Sequence, residues 1–432
     1  MLLIKNTSLL FFGNVGSKMI AFIMLPFYTK YLSSSEYGVS DIINTYASII
    51  IAFITFCLSD SIFVNIKQKD CSEEKEQLFS TGIVYSISSY IAFAFIFFII
   101  VKFIGYPDFL NSFVDNFGYI FFLSFTMFIQ NYTQQYTLGL GNALCYSLTG
   151  IVMTFSIALL ALCLLPKYGI NGYLLSLILA HLIATLFNVT SAKLYKHFSI
   201  KFINQKSLKI LFQYGVPLVP NSILWWIING INRPIIESTI GISAVGIFAI
   251  ASKFPNVLSI VFNVLSNAWN ITVIEEFGKN DSNYYFNKVF KLCYFFLISL
   301  GVLISIFSKF IVNIFATPEY YEAWHYIPIL TLGVIFYSMS SLIGSIFMAQ
   351  KKSKFFAYSS FWGAITSLLC TIVGVKYWGL YGASCAVVLS FFTICVSRIF
   401  YAWQYINKMD FSFYIMTTIC YLIITSLVLS DL

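Results

Sequence analysis

The sequence has 432 residues, of which 59% are hydrophobic and 10% are charged, and its mean hydropathy is +0.84. A soluble globular domain carries about 25% charged residues, so this composition excludes an ordinary soluble protein. The net charge is +8. Because the basic residues collect by position along the chain, as described below, this charge does not point to a nucleic-acid partner.

Apolar runs, each followed by a polar cluster, recur along the whole chain. A hydrocarbon core about 30 Å thick needs roughly 20 helical residues to cross it, and the runs do not alternate as membrane-barrel strands would. The sequence therefore predicts an all-α polytopic membrane protein with about 12–14 transmembrane helices. Because no small-residue cleavage site follows the first run, we expect a span there rather than a signal peptide. Thirteen spans are predicted, near residues 4–30, 38–66, 78–103, 114–138, 143–165, 171–192, 209–232, 240–272, 286–315, 323–349, 355–375, 380–405 and 411–430.

The orientation of the chain follows from where the basic residues lie. With the N-terminus inside, predicted cytoplasmic segments hold seventeen Lys and Arg residues and the opposite side holds six, while Lys18 and Lys253 fall within spans. An excess of Lys and Arg marks cytoplasmic loops. We therefore expect a cytoplasmic N-terminus.

Two pairs of short stretches match at nearly the same offset. PFYTKYLSSSEYGVSDI at 26–42 and PIIESTIGISAVGIFAI at 234–250 share Pro, Ser, Gly and Ile at an offset of 208 residues. KYGINGY at 167–173 and YWGLYGA at 377–383 place Gly169 on Gly379 and Gly172 on Gly382 at an offset of 210. The chain is therefore predicted to contain an internal repeat of two six-helix halves, 1–205 and 206–408, with an additional transmembrane helix at 409–432. Halves with an even number of spans share one orientation.

Polar residues form stripes on the predicted helices. In the second span Thr45, Ser48, Thr55 and Ser59 share one helical face, and their counterparts 208 residues later are Lys253, Asn256, Asn263 and Asn267. Because polar side chains are costly toward lipid, both stripes are expected to face protein or water. The candidate substrate-binding residues of such a cavity are Lys18, Lys253, Arg233, Asn14, Asn221, Trp225, Asn229, Asn256, Asn263, Asn267 and Asn270.

Two other interpretations of these residues stay open. Ser, Thr and Asn on a membrane helix often bond a neighbouring helix, and the stripes could serve packing alone. Lys18 and Lys253 could be halves of internal ion pairs with Asp60 or Asp41, since intramembrane charges pair when they can. Asp41 and Asp60 are therefore candidates for ion pairing or gating. Arg233, near a span end, could snorkel to the interface.

The sequence offers no catalytic site, metal site or cofactor motif. GNVGSK at 13–18 lacks the spacing of a phosphate loop and lies within a predicted span. The nine cysteines show no paired metal spacing, and the three histidines have no carboxylate neighbour in a metal motif. We therefore expect neither an enzyme nor a cofactor.

The first span ends in a proline, and it is followed by YTKYLS and EYG at 28–38. In this motif, and in its helix count and two-half layout, the chain resembles polysaccharide transporters of the Wzx type. These are O-antigen and related lipid-linked oligosaccharide flippases in the superfamily that includes the MATE drug exporters. The resemblance implies that an undecaprenyl-diphosphate-linked oligosaccharide is moved from the cytoplasmic to the periplasmic leaflet of the bacterial inner membrane by alternating access. It also implies the lipid bilayer, a polysaccharide polymerase and a chain-length regulator as partners. Family members usually have twelve or fourteen spans, so the odd thirteenth span is a departure.

Two rival functions share this architecture. A MATE-like exporter of cationic drugs would more naturally place acidic residues in its cavity, whereas the charges within spans here lean basic. A membrane-embedded polysaccharide polymerase or glycosyltransferase would be expected to carry a larger extramembrane loop, and the predicted loops are short.

Overall fold

The computed structural model describes residues 16–104, 111–278, 282–350, 352, 354–406 and 409–430. These residues form α-helices and short 3₁₀ or π turns, with no β-strand among them. Nine helices of this part of the chain are long and apolar enough to cross a membrane. The all-α fold follows from the solvent, because a lipid-exposed segment must satisfy every backbone polar group within itself. The protein is a multi-pass membrane protein.

The chain forms two compact units. The first contains the described residues up to Leu32 together with Val39–Ile223, and the second contains Ser33–Gly38 together with the described residues from Leu224 onward. Residues 16–23 are helical and precede α1. The helices up to the boundary are α1 (Leu25–Tyr31), α2 (Ser34–Thr55), α3 (Leu58–Lys67), α4 (Ser72–Ile99), α5 (Asn111–Asp115), α6 (Phe117–Gly139), α7 (Ala143–Ser191), α8 (Gln205–Gly215) and α9 (Val219–Gly230). The helices that follow are α10 (Asn232–Thr239), α11 (Ile242–Glu276), α12 (Ser282–Ile306), α13 (Ser308–Phe315), α14 (Ile327–Ala349), α15 (Lys354–Ile406) and α16 (Phe411–Ser430).

The two longest helices each contain one sharp break at a glycine. In α7 the break is at Gly169, with φ 55° and ψ −139°, and in α15 it is at Gly379, with φ 57° and ψ −134°. A positive φ of this kind is readily adopted only by glycine. A Cβ added to Gly172 would meet the carbonyl oxygen of Leu164, and one added to Gly382 would meet that of Gly374. The two matched stretches therefore have the same local structure, and each break separates two predicted spans.

Several predicted spans are more broken than expected. The span predicted at 38–66 is divided between α2 and α3, where Phe56 and Cys57 both have positive φ angles. The span predicted at 209–232 is a series of short helices around Pro217, Pro220 and Pro234, because proline removes a backbone donor and clashes with the preceding turn. The first predicted span begins outside the described residues, and the count of thirteen spans stays a prediction.

The core of the first unit is rich in aromatic side chains. The rings of Phe79 and Tyr136 stack with centroids 4.2 Å apart, and Tyr132 donates a hydrogen bond to the carbonyl oxygen of Leu78 at 3.2 Å. Gly82 leaves the room that Tyr132 occupies, because a Cβ there would meet its hydroxyl oxygen. This packing joins α4 to α6.

The core of the second unit is built around α14, which packs against α11, α12 and α15. Buried side chains of these helices form one cluster, in which Trp269 donates a hydrogen bond from Nε1 to the carbonyl oxygen of Leu342 at 3.0 Å. The helix α16 is anchored at its start, where the Nζ atom of Lys291 lies 2.9 Å from Asp410 Oδ2. That ammonium group, with the backbone N–H of Phe413, holds the pKa of Asp410 below its ordinary value.

Candidate functional site

The helix α11 presents its polar stripe away from the core. Lys253, Asn256, Asn263 and Asn267 are exposed and Asn270 is half-buried. The opposite side of the helix carries Phe254, Leu258, Phe262 and Trp269, which are all buried. The side chains of α11 therefore separate by polarity, with the asparagines outside the protein core.

A third sector of α11 is exposed but apolar. Val257, Val261 and Leu265 are 36–37% exposed, and their positions lie on another side of the helix from the asparagines. An exposed apolar sector suits the hydrocarbon tails of the bilayer, whereas a run of amide side chains does not. The prediction that the asparagine sector faces protein or water, and not lipid, therefore stays a prediction that this exposure pattern allows.

A cavity of about 250 Å³ lies next to this stripe, within the second unit. Its polar lining consists of Asn229, Arg233, Ser252 and Asn256, and its apolar lining includes Phe248 and Phe391. The structure thus brings together three of the residues that the sequence predicted as substrate-binding: Asn229, Arg233 and Asn256. A guanidinium group, two amides and aromatic rings are groups that can bind an anion and sugar hydroxyls.

Arg233, on α10, is held in place by the C-terminal end of α9 and by a neighbouring ring. Its Nη1 donates to the carbonyl oxygen of Asn229 at 2.6 Å, and its guanidinium carbon lies 5.4 Å from the ring centroid of Phe248. The preceding residue, Asn232, is buried and accepts a hydrogen bond from Thr371 Oγ1. These contacts fix the start of α10 against α15, so the guanidinium group is pre-positioned at the cavity wall.

The other predicted residues of this region, Trp225 and Asn221, do not line the cavity. Trp225 packs its ring against Tyr337 at 6.2 Å, edge to face, and its carbonyl oxygen accepts a hydrogen bond from Asn229 Nδ2 at 2.8 Å. Asn221 is half-buried on α9, and it belongs to the first unit. Trp225 therefore supports Asn229 through this backbone contact.

The other candidate charges, Lys18, Asp41, Asp60 and Lys253, do not line the cavity. Lys18 is exposed within the helical residues 16–23, and no carboxylate of the described residues forms an ion pair with it. Asp60 is exposed in the first turn of α3 and likewise has no ion pair with a described residue. Asp41 and Lys253 each have an interaction partner. Asn14 lies outside the described residues. Of the alternative ion pairs of Lys18 and Lys253 with Asp60 or Asp41, the described residues therefore show none between Lys18 and Asp60.

The hydroxyl stripe of the second predicted span bonds mostly within its own helix. Thr45 donates to the carbonyl oxygen of Asp41 at 2.8 Å, Ser48 to that of Thr45 at 2.7 Å and Thr55 to that of Ile51 at 2.7 Å. Hydroxyl groups on membrane helices commonly satisfy themselves in this way. This stripe is therefore largely satisfied by backbone carbonyls of its own helix.

Sequence reasoning missed Ser252, which completes the polar lining of the cavity, and the burial of Arg398, which it counted among the cytoplasmic cations. Arg398 is 3% exposed. Its Nη1 donates to the carbonyl oxygen of Ser340 at 2.7 Å and its Nε to Ser359 Oγ at 3.1 Å. It thereby ties α14 to both arms of α15, the helix broken at Gly379. Its place near the end of a predicted span was the one signal in the sequence.

The comparisons with known sequences agree with this architecture. The model of a family described as polysaccharide biosynthesis protein matches residues 3–270, and the model of the MatE family matches residues 217–373. An uncharacterized membrane protein of Methanocaldococcus jannaschii is 22% identical over 428 residues, covering 90% of this chain and 82% of its own length.

Solved structures share the fold at low sequence identity. A multidrug resistance MATE family transporter of the MOP superfamily, in an inward-facing conformation, matches with a TM-score of 0.73 at 12% identity, over 90% of this chain and 95% of its own. The lipid II flippase MurJ matches with 0.71 at 15% identity, over 98% and 97%. A MOP superfamily transporter from Pyrococcus furiosus, described as having a binding pocket of reverse polarity, matches with 0.63 at 12% identity, over 93% and 95%. With more than half of the sequence matched by one family model and nearly all of it superposed on these transporters, the chain belongs to the polysaccharide biosynthesis protein family and has the MATE-like fold of the MOP superfamily.

Proposed function

We propose that this protein is a flippase that moves an undecaprenyl-diphosphate-linked oligosaccharide from the cytoplasmic to the periplasmic leaflet of a bacterial inner membrane. Membership of the polysaccharide biosynthesis family supports a saccharide-linked substrate. The likeness to transporters and to a lipid II flippase supports movement across the bilayer as the kind of activity. Transport by alternating access requires no bond to be made or broken in the substrate.

The observation that carries the proposal is the chemistry of the cavity wall. The charged side chain of the lining is the guanidinium group of Arg233, which lies beside the amides of Asn229 and Asn256. A diphosphate is a compact anion that a planar guanidinium binds through paired, charge-assisted hydrogen bonds. Amides and aromatic faces suit the hydroxyls and ring faces of sugars. The exposed polar sector of α11 extends this chemistry along the helix beyond the cavity.

The proposal includes an orientation and partners. The excess of Lys and Arg on one side supports a cytoplasmic N-terminus, and a product delivered to the outer leaflet would be used by a polysaccharide polymerase and a chain-length regulator. Asp41 and Asp60 are proposed as gating or ion-pair residues. Lys18, Lys253 and the asparagines of α11 are proposed as further substrate contacts.

A reconstituted transport assay tests the function. Proteoliposomes would carry undecaprenyl-diphosphate N-acetylglucosamine as the probe, and its arrival in the outer leaflet would be followed with a lectin that cannot cross the membrane. We expect wild-type protein to speed arrival over protein-free vesicles. We expect Arg233→Ala to slow it by about tenfold or more, because losing one charge-assisted bond costs about 1.5–3 kcal/mol.

A matched control and a rival substrate complete the test. Lys376→Ala removes an exposed cation elsewhere in the second unit and should transport at the wild-type rate. Wild-type movement no faster than in protein-free vesicles would contradict the proposal. Efflux of the cationic dye ethidium without movement of the lipid-linked sugar would indicate a drug exporter instead. Consumption of a sugar donor by the purified protein would indicate an enzyme.

A further inference from the structure

The segment that connects α7 to α8 has a defined structure. It contains two short 3₁₀ helices, Leu194–Lys196 and Ile200–Phe202, and Asn204 caps α8 by accepting a hydrogen bond from the backbone N–H of Lys206 at 2.8 Å. We define residues 193–209 as the basic connector. Both helices that it joins belong to candidate membrane spans, so the connector lies where the chain leaves and re-enters the bilayer.

One side of the basic connector is hydrogen-bonded to α4. Ser80 Oγ accepts a hydrogen bond from the backbone N–H of Ser199 at 3.1 Å, and Thr81 Oγ1 accepts one from the backbone N–H of Asn204 at 3.1 Å. The Nδ1 atom of His197 lies 3.4 Å from Glu76 Oε1. The backbone of the connector is therefore held against α4, and the side chains on its other side are presented at fixed positions.

The free side of the connector combines positive charge with apolar groups. Lys193, Lys196, Lys201, Lys206 and Lys209 are all exposed, and residues 193–209 contain no Asp or Glu. None of these lysines forms an ion pair with another described residue. Between them Ile200 is 73% exposed and Tyr195 is 58% exposed, and Phe198 and Ile203 are also exposed.

A lysine cluster alone would be accounted for by the topology rule, because charges that hold a loop on one side need only stay in water. That rule does not account for the large apolar side chains between the lysines. It also does not account for the hydrogen bonds that hold the connector backbone against α4. Exposed apolar groups among cations, at the ends of membrane spans, match the way interfacial segments bind anionic lipid surfaces. The segment at 67–76, here called the mixed loop, runs from the last residue of α3 into the first turns of α4. It is different, since it mixes lysines with carboxylates and pairs Lys69 with Glu74 at 2.9 Å.

We propose that the basic connector is a binding surface for anionic phospholipid headgroups of the leaflet it faces. The lysines contact the headgroup phosphates, and Ile200, Tyr195 and Phe198 enter the boundary between headgroups and acyl chains. The surface shares no residue with the cavity at Arg233, and the proposal does not depend on which substrate the protein moves.

Lipid binding by the full-length protein in detergent tests the proposal. Native mass spectrometry would compare dioleoyl phosphatidylglycerol with dioleoyl phosphatidylcholine as probes. We expect the wild-type protein to bind the anionic lipid about tenfold or more tightly, and we expect most of this preference to disappear at high salt. The variant Lys196→Gln/Lys201→Gln/Lys206→Gln should lose most of the preference.

The matched control is Lys67→Gln/Lys69→Gln/Lys75→Gln, which removes the same number of charges from the mixed loop. It should keep the preference to within about twofold, because its lysines have acidic neighbours. Equal binding of the two lipids by the wild-type protein, or equal losses in the two triple variants, would overturn the proposal.

A second measurement does not depend on removing charge. An environment-sensitive fluorophore on Ile200→Cys, in a cysteine-free background, should report a more apolar surrounding in nanodiscs of phosphatidylglycerol than in nanodiscs of phosphatidylcholine. The same fluorophore on Gln68→Cys, in the mixed loop, should report no difference. Identical spectra of the Ile200 probe in both lipids would contradict the proposal and would indicate that the surface binds a protein partner instead.

Discussion

At the scale of single residues, Lys18 and Lys253 are ammonium groups on helices predicted to cross the membrane. A charge within a span costs several kcal/mol unless water or a partner compensates it. Both side chains are exposed, and Lys253 lies one turn before Asn256 on the polar face of α11. We therefore expect these lysines to serve substrate binding, together with Arg233, rather than stability.

Complementation of a flippase-deficient strain separates the two roles. Lys253→Ala and Lys18→Ala should abolish complementation while leaving the amount of membrane-inserted protein unchanged. Lys253→Arg should keep part of the activity, because the charge remains although the guanidinium differs in shape. Lys253→Glu should be inactive, because a carboxylate would repel the diphosphate.

The control is Lys167→Ala, an exposed lysine near the break of α7, which should complement fully. If Lys253 is instead one half of an ion pair, its loss should lower protein abundance, and neutralising Asp41 as well should restore it. Full complementation by both alanine variants would show that neither lysine is needed for transport.

Part of the site could be predicted from residue patterns, because helical spacing along the predicted seventh span places Asn229 and Arg233 on one face, although the structure divides them between α9 and α10. The asparagines of α11 could be proposed in the same way, because they share one helical face and amide side chains are costly toward lipid. Ser252 could not be found in this way, because a single serine in an apolar run has no pattern. The partners of Arg398 could not be predicted either, because they come from helices distant in sequence.

At the scale of helices, the repeated glycines have a packing role. Gly38 at the start of α2 and Gly246 at the start of α11 meet backbone to backbone: a Cβ on Gly38 would touch the carbonyl oxygen of Ile242, and one on Gly246 would touch that of Ser34. Ser34 Oγ is 2.6 Å from Ser243 Oγ, and the Ser34 N–H donates to Glu319 Oε1 at 2.6 Å. Within the second unit, Ser34–Gly38 of the first matched stretch therefore packs against Ile242–Gly246 of the second.

Alanine at either glycine should weaken the contact between Ser34–Gly38 and Ile242–Gly246. Because the obstructing atoms are backbone carbonyls, which cannot rotate away, Gly38→Ala and Gly246→Ala should each destabilise the protein by about 1–3 kcal/mol. Thermal unfolding of the purified protein in detergent measures the effect. Gly118→Ala is the control, since a Cβ there would meet nothing within 4 Å, and it should be neutral or slightly stabilising. A melting temperature unchanged by all three substitutions would refute the packing argument.

The polar stripe of α11 can be tested by cysteine accessibility. Cysteines at 256, 263, 267 and 270, in a cysteine-free background, should react with small water-soluble thiol reagents. Cysteines at 257, 261 and 265 should react poorly, because those exposed apolar positions are expected to face lipid, where little thiolate forms. Equal labelling of both sets in membranes would remove the distinction between a water-filled space and lipid.

Helix type was predictable from apolar runs, but helix breaks were predictable only where the sequence marks them. The breaks at Gly169 and Gly379 lie within stretches that the internal repeat singled out, and the prolines mark the short helices from α8 to α10. The break at Phe56 and Cys57 has no such signal, because these residues rarely adopt a positive φ. Gly215 packs there, with a Cβ that would meet the carbonyl oxygen of Phe56, so tertiary packing decides this break.

At the scale of the whole molecule, the division of the chain by its internal repeat differs from its division into compact units. The predicted halves, 1–205 and 206–408, rest on repeated sequence, while the compact units divide after Ile223 and the second unit also includes Ser33–Gly38. The internal repeat identifies which residues of the two halves correspond. The compact units depend instead on side-chain packing, which cannot be read from an alignment of two stretches. The halves therefore remain a proposal about correspondence, supported by the equal backbone angles at Gly169 and Gly379.

Reporter fusions test the orientation of the whole molecule. Fusions after residues 70, 200 and 352 should report the cytoplasm, and fusions after 107, 168 and 318 should report the periplasm, because seventeen of the basic residues lie on the first side and six on the second. The fusion after 200 is the most informative, since it lies within the basic connector, whose five exposed lysines should give the strongest bias toward the inside. The fusion after 168 is its partner, because the break at Gly169 should place the turn between two spans there. A periplasmic signal at 200 would reverse the second half relative to the first, and would move the proposed lipid-binding surface to the outer leaflet.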